Sequence, residues 1–143
     1  MTEGEGGMGR ETTAPVAPGI RRLAASAWSV LLIAVIVLSL LPAPGLPTGH
    51  GIDKALHLVG YFFLAVLPFA GFGRWRLALG LSLLMLPLGI GLEFVQDMIP
   101  GRVREVMDMA ANGAGVFLGL CLGRPARRLA VRIGTHHPPH PGD

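Results

Sequence analysis

The chain has 143 residues, enough for one domain. Hydrophobic residues make up 51% and charged residues 15%, against about 25% charged in soluble domains, so a solvated globular surface is excluded and the chain reads as an integral membrane protein. The net charge of +3 does not indicate nucleic acid, because the arginines flank apolar runs and report topology and anionic lipid instead; the single cysteine, Cys121, excludes an internal disulfide and suggests no thiolate metal site.

Residues 1–20 are rich in Gly, Glu, Thr and Pro. They bury too little to offset chain entropy, so residues 1–22 are expected to form a disordered cytoplasmic tail. Arg21 and Arg22 precede the first apolar run, residues 23–41. At 1.5 Å per residue that run reaches roughly 28 Å, enough to cross a bilayer core. A signal peptide cleaved near Ala43-Pro44-Gly45 is the competing reading. Signal cores are about 7–15 residues, shorter than this run, which favours a retained helix.

Residues 42–52 form a Pro/Gly loop containing His50. A second helix is expected over 53–72, with Asp53 as N-cap and a kink at Pro68. Gly73-Arg74-Trp75-Arg76 reads as a basic turn with an interfacial Trp. A third helix is expected over 77–98, broken by Pro100-Gly101. The fourth starts near Val103 and stops at Gly123-Arg124-Pro125, with Glu105 in its first turn complementing the helix dipole.

Residues 23–123 thus form an all-α integral membrane domain, a four-transmembrane-helix bundle. In residues 124–143, Arg124, Arg128 and Arg132 recur every four positions, opposite Leu129 and Ile133. That predicts a basic amphipathic segment lying on an anionic leaflet, then a disordered tail.

With both termini in the cytoplasm, nine of the twelve basic residues lie inside, leaving Lys54, Arg102 and Arg104 outside. The positive-inside rule therefore favours that orientation in the cytoplasmic membrane. Asp53, Glu93, Asp97, Glu105 and Asp108 also fall outside.

Those outer groups share a level. His57 lies about one turn into helix two and Glu93 about one turn from the end of helix three. Asp108 and Asn112 lie at comparable depth on helix four. Lys54, His57 and Tyr61 recur at i, i+3, i+7, and Glu93, Gln96 and Asp97 at i, i+3, i+4. Asp108, Asn112, Gly115 and Gly119 follow at i, i+4, i+7, i+11, the glycines allowing close helix approach. Ionisable groups in hydrocarbon cost about 2.5–3.5 kcal/mol each on insertion scales, so the cluster is a functional-site hypothesis by default.

Glu93, His57 and Asp108 have the chemistry of an acid/base set, and are the catalytic candidates. Asp53, Lys54, Tyr61, Gln96, Arg102 and Asn112 are the candidate substrate-binding residues; Gln96 and Arg102 suit a phosphate or carboxylate. The structural alternatives are an ion pair from Glu93 to Arg102 or Lys54, capping by Asp53, packing by Tyr61 and interhelical bonding by Asn112. Asp53, His57, Glu93 and Asp108 carry donors that suit zinc, manganese or magnesium, but no HExxH or paired-His spacing supports a metal. The sequence assigns no metal and no cofactor. Nucleophile and nucleotide motifs are absent.

The three motifs Asp53-Lys54-x-x-His57-x-x-x-Tyr61, Glu93-x-x-Gln96-x-x-x-Pro100-x-Arg102 and Asp108-x-x-x-Asn112-x-x-Gly115-x-x-x-Gly119 resemble the VanZ-like family of small bacterial membrane proteins. The match spans residues 53–119. Arg104 stands where the family pattern leads one to expect an uncharged residue. The founding member is associated with low-level resistance to the glycopeptide teicoplanin. The resemblance implies an outer-leaflet polar cleft that engages a lipid headgroup, a cell-wall precursor or a lipid-anchored glycopeptide, with membrane lipids as partners. Two other functions fit the residues: an embedded enzyme modifying an envelope lipid, and a structural or assembly subunit.

Overall fold

The computed structural model describes residues 15–42, 51–100 and 105–135. Among them there are four α-helices and no strand: α1 Pro18–Leu40, α2 Ile52–Gly71, α3 Trp75–Gln96 and α4 Val106–Thr135. All four are long and apolar enough to cross a membrane.

The bundle is apolar outside and carries polar groups inside. Leu23, Val30, Leu56 and Phe117 are exposed, whereas Ser82, Glu93, Gln96, Asp108 and Asn112 are buried. A contiguous apolar exterior of this extent is what a lipid-facing surface needs and a water-facing one avoids. The architecture fits a multi-pass membrane protein.

The largest departures from the expected helix boundaries are at the start of α1 and the end of α4. α1 begins at Pro18, so residues 18–22, expected to close a disordered tail, are helical. Proline suits the first helical turn, where its missing N–H has no partner to lose. More consequentially, α4 does not stop at Pro125 but continues to Thr135. Tertiary contacts hold the last turns. The Arg127 guanidinium donates to the carbonyl oxygens of Phe69, Phe72 and Gly73 at 3.4, 3.1 and 2.7 Å. Ala130 is buried, and Gly134 lies against Ala17. These contacts offset the roughly 3 kcal/mol that an interior proline costs a helix. The basic amphipathic segment is therefore the end of α4.

α2 is the central helix. It packs most closely on α4, where glycines replace side chains at the seam. A Cβ on Gly119 would stand 2.8 Å from the Phe62 carbonyl oxygen, and one on Gly115 would reach 2.9 Å from the Phe62 nitrogen. The core comprises Trp28, Tyr61, Leu64, Ala65, Met85 and Val116. Trp28 fastens α1 to it: its Nε1 donates to the Leu64 carbonyl at 2.8 Å, and its ring meets Phe72 edge-on. The Ser82 hydroxyl of α3 donates to the Ala65 carbonyl at 2.7 Å. α1 is thus an integral wall of the bundle.

The two ends of the bundle differ in charge. At one end, the start of α2, the end of α3 and the start of α4 bring acids together. At the other, Arg21 lies beside Gly73, Arg124 sits over the Trp75 ring at 5.6 Å, and Arg127 caps the end of α2. Trp75, expected in a turn, is the first residue of α3 and its ring meets that of Phe69 at a tilt, with centroids 4.6 Å apart.

Candidate functional site

Lys54, in the first turn of α2, organises the rim of the acidic end. Its ammonium donates to Glu105 at 2.7 Å and to Asp53 at 2.9 Å, and lies 3.5 Å from Asp108 Oδ1. Asp53 and Glu105 are exposed or half-exposed, so solvent screens these pairs and they add little to stability. Asp53 does not cap α2, contrary to expectation. Gly51 holds the cap position with φ +71°, a left-handed conformation open to glycine.

One turn further in, α2, α3 and α4 converge on His57, Glu93 and Asp108. A ligand-capable atom from each lies within 4.8 Å of the other two. His57 Nδ1 is 3.0 Å from Asn112 Oδ1, and Nε2 is 3.9 Å from Asp108 Oδ2. An amide oxygen only accepts, so Nδ1 donates to Asn112 and Nε2 faces Asp108. Glu93 is 1% exposed and neither of its oxygens has a hydrogen-bond partner. Lys54, one expected ion-pair partner, is committed to the rim acids. The other, Arg102, lies outside the described residues. Burying polar atoms without partners is costly, and Glu93 stands out because both of its oxygens lack one, with Asp108 Oδ1 the other such atom among the described residues.

The remaining predicted residues divide. Asn112 is buried and joins the cluster through His57. Tyr61 is a core residue whose ring packs over Gly89, where a Cβ would come within 3.0 Å of it. Gln96 is buried and donates to the Ser39 carbonyl of α1 at 3.2 Å, so its amide ties α3 to α1. Glu105 was not among the predicted site residues. Its signal was available, since Glu105 and Asp108 are three residues apart and share a face.

A cleft of about 350 Å³ lies between α3 and α4, walled by Leu86, Ile90, Val106, Met109 and Gly113. Asn112 is its polar lining residue. The same amide that orients His57 therefore borders an apolar groove whose edge residues Ile90 and Val106 are exposed. No protein-family model, curated protein or solved structure matches this chain.

Proposed function

We propose that this chain is a VanZ-like protein of the cell envelope whose acidic-end cleft binds a lipid-tethered ligand. The observation that carries the reading is the amphipathic join at Asn112. An apolar groove suited to an acyl or prenyl chain meets, through His57, a polar cluster suited to a headgroup. The ligand class is a membrane lipid headgroup, a cell-wall precursor or a lipid-anchored glycopeptide, with a contribution to glycopeptide resistance. In this reading both termini are cytoplasmic and the cleft faces the outer leaflet. Support for that orientation is the arginine excess on the opposite side.

A second reading is favoured by Glu93. An unpartnered carboxylate beside an imidazole whose Nε2 faces Asp108 has the elements of an acid/base pair acting on the bound lipid.

Lipid mass spectrometry separates the two. Wild-type membranes and membranes lacking the protein are compared, and lipid retained by the purified protein is identified. Binding predicts a retained lipid that Asn112→Leu loses, with an unchanged envelope lipid profile. Catalysis predicts a chemically altered lipid present with the wild type and missing with Glu93→Gln. No retained lipid and no altered lipid would reject both and leave the assembly role.

A further inference from the structure

Two trios of metal-capable side chains sit side by side and share Asp108: Asp53, Glu105 and Asp108 on the rim, and His57, Glu93 and Asp108 within. The rim trio has its cation, the Lys54 ammonium, within 3.5 Å of all three carboxylates. In the inner trio Lys54 reaches only the shared acid Asp108, at 3.5 Å; among the described residues no lysine or arginine pairs with Glu93. The trio's two carboxylates are buried, and neither Glu93 oxygen has a partner. Two adjacent carboxylates in a low-dielectric interior repel strongly unless positive charge lies between them.

We propose that His57, Glu93 and Asp108 bind a first-row divalent cation of the zinc or manganese class. One imidazole with two carboxylates is a nitrogen-oxygen donor set. It suits zinc or manganese better than calcium, which takes oxygen ligands alone. A dication would bring the two carboxylates to formal neutrality. The histidine is already arranged as a ligand: Nδ1–H donates to Asn112 Oδ1, which turns Nε2 toward the carboxylates. Metal-bound histidines carry this kind of outer-shell bond. Donors around such an ion at about 2.1 Å stand roughly 3.0–3.4 Å apart. The 3.9 Å from Nε2 to Asp108 closes by side-chain rotation. Three protein ligands leave a coordination position for water or for an anionic headgroup oxygen.

The inference does not depend on lipid binding, and its test uses no added lipid. The full chain is purified in detergent without a histidine tag, with His136, His137 and His140 changed to alanine so that they contribute no binding. After chelator treatment it is dialysed against Zn²⁺ or Mn²⁺ and bound metal is counted. Co²⁺ is added separately and its visible absorption recorded. We expect one equivalent per chain, with affinity lowered at least tenfold by Glu93→Gln and by His57→Ala. Asn112→Ala should weaken binding about 10- to 100-fold through the lost outer-shell bond. Asp97→Asn, at an exposed acid outside both trios, should leave stoichiometry unchanged. Glu93→Gln keeps side-chain shape, and helical content and monodispersity are measured in parallel. Absence of saturable binding, or binding unaltered by a well-folded Glu93→Gln, would overturn the proposal.

Discussion

The His57 imidazole and the Asn112 amide meet across the α2–α4 seam at 3.0 Å, joining the ionic cluster to the apolar cleft between α3 and α4. Removing the amide leaves a part-buried ring N–H without its acceptor. Asn112→Ala should therefore cost about 0.6 kcal/mol, the average for interhelical hydrogen bonds in membranes, and no more than the maximum of about 1.7 kcal/mol. Reversible unfolding in mixed micelles would measure it. Asn112→Asp keeps an acceptor oxygen and should retain the imidazole orientation, visible in the histidine ring NMR shifts. Equal ring shifts in the alanine and aspartate variants would contradict the assigned role.

Close backbone approach at Gly115 makes the second prediction. A Cβ there would fall on the Leu58 carbonyl oxygen and the Phe62 nitrogen, which cannot move aside as a side-chain tip can. Gly115→Ala should force α2 and α4 apart and destabilise the protein by about 1–3 kcal/mol. Gly113 lies one residue from Asn112 but has open space around its Cβ position. Gly113→Ala should be neutral in the same unfolding assay. Comparable losses for both would mean that helix flexibility, not the seam, sets the effect.

Four helices long and apolar enough to cross a membrane, the convergence of His57, Glu93 and Asp108, and the glycine seam were all legible from hydropathy blocks and helical spacing. Such spacing places a residue on a face but does not say which neighbour that face meets. Lys54 and Glu93 lay close in expected depth, yet Lys54 turns to Glu105 and Asp53 while Glu93 is left with His57 and Asp108. Gln96 shares a face with Glu93 but reaches α1, which no local pattern encodes. The end of α4 was misread for a related reason. Pro125 is a strong local stop signal, and the carbonyls that Arg127 satisfies lie more than fifty residues away in sequence.

Those carbonyls give the third prediction. The Arg127 fork satisfies the end of α2 and holds the turns of α4 beyond Pro125 in place. Arg127→Met keeps the aliphatic stem and removes the donors. The loss should be about 1–2 kcal/mol, below the upper range for charged hydrogen bonds because the Gly73 end is exposed. Arg127→Lys should fall between, since one ammonium cannot span carbonyls that a planar fork reaches together. Hydrogen exchange should show faster amides after Pro125 in the methionine variant. If only α2 amides change, α4 persists past the proline for another reason.

The acidic and basic ends of the bundle make membrane orientation testable on both sides at once. Arg21, Arg74, Arg76, Arg124 and Arg127 gather toward the end formed by the α2–α3 turn, whereas Lys54, Glu93 and Asp108 mark the other. The positive-inside rule predicts that the basic end faces the cytoplasm. In a Cys121→Ser background, His50→Cys should react with a membrane-impermeant maleimide in intact cells. Gly73→Cys should react only after permeabilisation. The reverse pattern would turn the cleft toward the cytoplasm. A lipid ligand would then have to come from the inner leaflet, which would remove surface-acting glycopeptides from the candidate ligands while leaving the His57, Glu93 and Asp108 cluster itself intact.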